Sequence, residues 1–349
     1  MILPQTYPAT MLVMILSLVC LGVWVSAFKL TGKYRFELFY FDFAFGLLLT
    51  AVILAFTVGN LGYDGFNFLD DLQHTGKRQW LYCFIAGMIF NLANLLLVAA
   101  VSVAGTVLAF PVGMGVGLIV STGLAFAMSR TGNGTMILLG SALVLASALA
   151  NSMSYRMLAV QRHEEQARAG KARSTRRPSA AKGIVLSVVS GLLIGSFFPL
   201  LDKARQGEVG MGPYAIGSLF ALGVFFSTFV LNIFFINLPV EGDPAELSLY
   251  FAATPAQHGW GLAGGMIWCL GTIAGLVVVA TPVSPEGSPE VRALLAQAAP
   301  LLTALVGIFV WRELKGSDIR VRALTLMMVV LYGCGVVLLS VAPLYVPKG

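Results

Sequence analysis

Long apolar runs alternate with short polar connections along this chain. A membrane-spanning helix needs about 20 mostly apolar residues. Ten runs reach that length, at roughly 9–29, 37–58, 80–102, 104–128, 134–155, 182–202, 212–238, 259–281, 290–311 and 321–342. The third and fourth almost touch, around Ser102–Gly105. The pattern predicts an all-α polytopic membrane protein of ten transmembrane helices, with no room for a soluble domain. Val25-Ser26-Ala27 resembles a signal cleavage site, but no Lys or Arg precedes Lys29. The first run therefore lacks a positive n-region and reads as a span.

The runs also repeat. Residues 86–94 read AGMIFNLAN and residues 264–272 read GGMIWCLGT, with Gly, Met, Ile and Leu coinciding and Phe90 facing Trp268. Gly22 and Trp24 pair with Gly195 and Phe197, and Pro111 pairs with Pro300. Spans one to five thus match six to ten. Five is odd, so the second set enters the membrane from the opposite side. The expected organisation is two inverted five-helix repeats, 1–155 and 182–349, joined by a basic loop at 156–181. Inverted repeats recur in secondary transporters, with a substrate site near the midplane beside interrupted helices. Pro111 and Pro300 are the predicted helix breaks, since proline removes a hydrogen bond and frees the carbonyl four residues back. The alternative is a packing kink. The GxxxG spacings at Gly113/Gly117, Gly191/Gly195 and Gly271/Gly275 read as packing faces inside one bundle.

Composition sharpens the exclusions. The chain is 58% hydrophobic and 11% charged, where soluble domains carry about 25% charged residues. A soluble enzyme, a nucleic-acid-binding domain and a disordered chain are excluded. The net charge of +6 is held by one segment, Arg156 to Lys182, with eight basic and two acidic residues. That segment carries no aromatic side chain to stack bases, so it marks topology and not nucleic-acid binding. Lys/Arg asymmetry predicts both termini outside and the central loop cytoplasmic, in a plasma or inner membrane. Four cysteines lie in apolar runs and three histidines in polar connections, with no metal-ligand spacing and no sign of a cofactor.

Polar residues inside spans are the candidates for chemistry. Asp42, in FYFDFAFG, reads either as a proton-coupling carboxylate or as a helix-end partner of Lys29, Lys33 or Arg35. Asn91 and Asn94 share a helix face, as do Trp268 and Thr272 in the second half. Gln297 shares a face with Pro300 and Thr303, and Trp24 lies near the end of the first span. Amides beside an aromatic platform suit a sugar or a nitrogen heterocycle. Their alternative is glue between helices. Glu313, in WRELKG, reads as a structural ion pair, and Asp202 with Lys203 as an interface pair.

The layout resembles the drug/metabolite transporter superfamily. Within it, the chain resembles the ureide permease family and the neighbouring glucose/ribose and rhamnose porters. The segments that carry the resemblance are FDFAFGLLLTAVILAFTVGNLG, AGMIFNLANLLLVAAVSVAG, FVLNIFFINLP and AQAAPLLTALVGIFVWRELKGSDIR. It implies a permease for a small polar solute, with the proton as coupling ion and Asp42, Asn94 and Gln297 as site residues. Two departures stand out. The family's Trp-x-x-Gly-Asn is here Trp268 to Thr272, which ends in Thr, and the central loop ARAGKARSTRRPS lacks GxxxxGK[ST], so nucleotide binding is unsupported and the loop reads as a disordered tether. The leading expectation is a secondary transporter, not an enzyme. An exporter of metabolites or drugs and a non-transporting scaffold are the alternatives.

Overall fold

The computed structural model describes residues 1–129, 132–168, 181–206, 210–240, 243–282 and 289–345. Among them every regular element is helical. In chain order these are α1 (Tyr7–Val23), α2 (Val25–Leu30), α3 (Phe36–Phe56), α4 (Phe68–His74), α5 (Lys77–Ala104), α6 (Thr106–Ser129) and α7 (Gly134–Arg168). There follow α8 (Ala181–Arg205), α9 (Pro213–Asn237), α10 (Ser248–Phe251), α11 (Pro255–Ala280), α12 (Pro289–Gln297), α13 (Ala299–Phe309) and α14 (Ile319–Val341). Among the described residues nine helices are long and apolar enough to cross a membrane, α1 and α2 counting as one of 24 residues. Their outward faces carry bare apolar side chains such as Leu138 and Val230, each more than 70% exposed. In water that would drive aggregation, whereas in hydrocarbon it costs nothing.

The ends follow local rules. Thr6 caps α1 by accepting from the Ala9 amide. Thr254 and Gln257 form a reciprocal capping box ahead of α11, with Pro255 in its first turn. Between α5 and α6 the chain turns on Gly105 alone, at φ +82°, a left-handed conformation that glycine adopts without strain.

Two expectations need correction, on Pro111 and on the central loop. The run 290–311 is interrupted beside Pro300: α12 stops at Gln297 and α13 starts at Ala299, with Ala298 outside both. Pro300 has no N–H for the Ala296 carbonyl and its ring crowds that carbonyl, so a helix does not continue through this point. Pro111 behaves differently, because α6 runs through it unbroken. The first part of the predicted central loop is helix as well, since α7 continues to Arg168 with Gln161 bonded to Glu165 one turn on. Residues 169–180 of that loop lie outside the described residues.

The chain packs as two compact units, Met1–Leu95 with Ser196–Ala299, and Leu96–Gly195 with Pro300–Gly349. Each draws on both halves of the sequence, and the division falls inside α5 and α8. In the first unit α11 packs along α3 and α1, and α9 along α3. A Cβ at Gly265 would collide with the Phe43 carbonyl oxygen, so the α3 and α11 backbones touch. In the second unit α7 packs on α14 and α6. There a Cβ at Gly191 would collide with the Gly113 carbonyl oxygen, and one at Gly117 would sit 2.9 Å from Ile194 Cγ2. These GxxxG faces of α6 and α8 meet within one chain.

Candidate functional site

In the first unit two polar clusters lie among apolar helices. The first gathers around Asp42, in the second turn of α3, which is 5% exposed. Tyr250 of α10 donates its hydroxyl to Asp42 Oδ1 at 2.7 Å, and His258 Nδ1 lies 2.8 Å from Oδ2. Gly261, one turn after His258, has no Cβ, which lets Asp42 approach α11. The Tyr34 ring meets the His258 ring edge-on at 6.3 Å, and its buried hydroxyl has no hydrogen-bond partner. Burial first, then the Asp42 charge, raises the Tyr34 hydroxyl well above the usual tyrosine value. Burial and the bond to Asp42 do the same for Tyr250. Both phenols therefore stay protonated.

Asp42 is thus paired, but not with the residues expected. Arg35 instead pairs with Glu37 at 3.0 Å and donates to the Asp243 carbonyl. His258 was missed because it falls one residue outside the predicted eighth span. The helix starts earlier, at Pro255, and carries it inside. Tyr250 and Tyr34 lie in connections, where sequence pattern offers no signal of their approach to α3.

The second cluster is amide and aromatic. Asn91 of α5 donates to Ser227 Oγ at 2.7 Å and Thr228 Oγ1 at 3.1 Å on α9, and its oxygen accepts from Thr228. Its hydrogen-bonding groups are engaged between helices. Asn94 donates to the Tyr40 hydroxyl of α3 at 2.9 Å. Trp24 and Trp268 both contact Phe43, with ring centroids 5.1 and 6.4 Å away. Trp268 stacks on Phe90 at 4.3 Å, so the two residues equated by the sequence repeat face each other. Phe220 lies parallel to Trp268 at 5.9 Å. Thr272 and Gln297 are half-buried, on α11 and at the last residue of α12.

Asn232 of α9 was not foreseen. It is fully buried, and neither Nδ2 nor Oδ1 has a hydrogen-bond partner. Phe36 meets Phe235 and Phe41 meets Phe229, so α3 runs antiparallel to α9 and Asn232 lies level with Leu38 and Phe39. On α5, Asn94 follows Asn91 by one turn, as Asn232 follows Thr228 on α9. An Asn inside the apolar stretch FVLNIFFINLP, six residues or so ahead of its end, was the available signal.

In the second unit Asn151 and Glu313 serve the backbone. Asn151 of α7 donates to the Val107 carbonyl at 2.8 Å, the very carbonyl that Pro111 leaves free. Its second contact, at 3.3 Å, is the Leu108 carbonyl. Asn151 thus satisfies the carbonyl that the proline leaves open inside α6. Glu313 accepts from the Thr106 and Val107 amides at 3.0 and 2.9 Å and from the Thr106 hydroxyl. These bonds cap α6, where amides and helix dipole favour a carboxylate, a role that its place beside Arg312 and Lys315 in the sequence did not suggest. Among the described residues no group of three His, Cys, Asp or Glu is placed to hold a metal ion.

No family model matches the chain. It is similar over nearly its whole length to ureide permease 1 of Arabidopsis thaliana, 21% identical across 91% of this chain and 93% of that protein. Ureide permease 5 of the same plant is 23% identical across 94% of this chain and 92% of its own. These relatives are permeases and not enzymes, in keeping with a multi-pass membrane transporter. One crystal structure covers 95% of this chain and 96% of its own with a TM-score of 0.50 at 15% identity, a likeness of fold.

Proposed function

We propose that this chain is a secondary active transporter of a small nitrogen-rich polar metabolite, of the ureide or pyrimidine kind, working by alternating access with proton coupling. Two inverted five-helix repeats are part of the proposal, with α12 and α13 together forming the broken ninth span. Full-length similarity to ureide permeases supports the solute class. The observation that carries the site is Asn232, whose buried amide has a donor and an acceptor unused one turn after Thr228, the residue that Asn91 bonds on α9. A ureido group offers the complementary pair, and an unpaired polar group in a span is costly until it is met. Trp24, Trp268 and Phe90 supply flat apolar surface for a ring. Asn91 is interhelical glue on this reading, while Thr272 and Gln297 remain proposed solute contacts. Asp42, held between Tyr250 and His258, carries the coupling proton.

The test is thermal unfolding of the purified protein with allantoin, uracil, hydantoin, hexoses and pentoses. A ligand at a hundred times its dissociation constant stabilises by about 2.7 kcal/mol. Allantoin or uracil is expected to raise Tm and the sugars are not. A shift with sugars alone overturns the solute class, and no shift with any solute overturns the site. In proteoliposomes, Asp42→Asn is expected to abolish gradient-driven uptake while sparing counterflow exchange; intact driven uptake overturns the coupling role.

A further inference from the structure

The second unit has a groove unrelated to the polar clusters. It is a cavity of about 450 Å³ between α13 and α14, walled by apolar side chains including Leu305, Phe309 and Leu326. Phe309 and Leu326 are largely exposed, at 71% and 66%. In a bilayer their environment is hydrocarbon. Three cations close one end of the groove, Arg312 and Lys315 from the connection between the two helices and Arg322 from the first turn of α14, and no carboxylate lines it. The nearby acids are engaged elsewhere: Glu313 caps α6, and Asp318 caps α14 by accepting from the Ile319 amide.

Arg312 is also the one non-glycine residue with positive φ among the described residues, at φ +50°. That conformation is uncommon for a long side chain and costs free energy. A glycine in its place would remove the strain at this tight turn and would also remove a charge from the groove.

We propose that this groove binds an anionic phospholipid, with the phosphate among Arg312, Lys315 and Arg322 and one acyl chain along Leu305, Phe309 and Leu326. Charge complementarity selects the headgroup, and the apolar length of the groove selects a lipid over a free anion. Basic pockets between spanning helices recognise lipid headgroups in this way. The positive-inside pattern predicts this end to be cytoplasmic, the leaflet that carries anionic lipid.

The experiment is native mass spectrometry of the intact protein in mild detergent, titrated with phosphatidylglycerol and phosphatidylcholine of the same acyl chains. Wild type is expected to bind phosphatidylglycerol in preference. The triple variant Arg312→Asn, Lys315→Gln and Arg322→Gln is expected to lose that preference on the order of a hundredfold, at the scale of three near-surface cations. Asn suits the left-handed turn, so folding is retained. Leu326→Trp, which fills the groove and keeps the charges, is expected to weaken both lipids. Equal binding of the two lipids by wild type overturns the proposal, as does an unchanged preference in the triple variant. Competition by inorganic phosphate as effective as that by phosphatidylglycerol overturns it too, by assigning the cations to a free anion.

Discussion

The two units place similar polar residues to different ends. In the second unit Asn151 and Glu313 bond to backbone groups that Pro111 and the start of α6 leave unpaired. In the first unit Asn91, Asn94 and Asp42 bond to other side chains, and Asn232 bonds to nothing. A polar group spent on the backbone mends the fold. A polar cluster that the backbone does not need, with one member unsatisfied, is where a ligand gains most by binding. The contrast separates Asn151 from Asn232 without any appeal to the residue type, which is the same in both.

The sharpest way to break this contrast lies in the second unit. Asn151→Leu strands the Val107 carbonyl and is expected to cost about 1–3 kcal/mol, read as a fall in Tm. Adding Pro111→Ala returns an N–H to that carbonyl, so the double variant is expected to recover most of the loss. A double-mutant cycle measures this coupling, and simple additivity would show that Asn151 does not serve the proline. Solute affinity is expected to stay unchanged throughout.

A smaller effect separates the amides of the first unit. Asn91→Leu is expected to cost about 1 kcal/mol, because it leaves Ser227 and Thr228 to their own helix carbonyls. Asn232→Leu removes an amide that has no partner and is expected to leave Tm level or higher while solute affinity falls. A destabilised Asn232→Leu with unchanged affinity would make Asn232 structural and erase the difference between the units.

The smallest effect is a pH slope outside the spans. Asp71 of α4 is buried, and burial raises its carboxyl above the ordinary 3.8, against the opposing hydrogen bond from the Gly212 amide. The folded state thus holds this proton more tightly than the unfolded chain. Its contribution to stability is complete below the ordinary value and is lost as pH rises through the raised one. Tm of Asp71→Asn is expected to lack that decline, and a slope matching wild type would remove Asp71 as its source.

Much of the fold was legible because spanning a bilayer is a local demand. Twenty apolar residues form their own hydrogen bonds, so eight of the ten predicted runs appear as single long helices, all but α7 at close to their expected bounds. The first run appears as α1 and α2 end to end at Trp24. Gly105 was visible as the joint between two spans, since a φ of +82° suits glycine and little else. The site was legible only as a set of residue types. Asn91, Asn94 and Asp42 stood out against hydrocarbon, but Asp42's partners lie more than 200 positions away in sequence.

The chain's own pattern therefore determined that it is helical, membrane-embedded and punctuated by proline and glycine, because propensity and hydropathy act within a turn or two. Only the tertiary structure decided which proline breaks a helix. Pro111 and Pro300 pose the same local problem, and α7 happens to bring Asn151 to the carbonyl that Pro111 frees. It likewise decided that Glu313 caps a helix, that His258 and not a lysine meets Asp42, and that Asn232 is left without a partner. Each of these depends on a distant helix arriving at a given depth and rotation, and hydrogen bonds reach only about 3 Å.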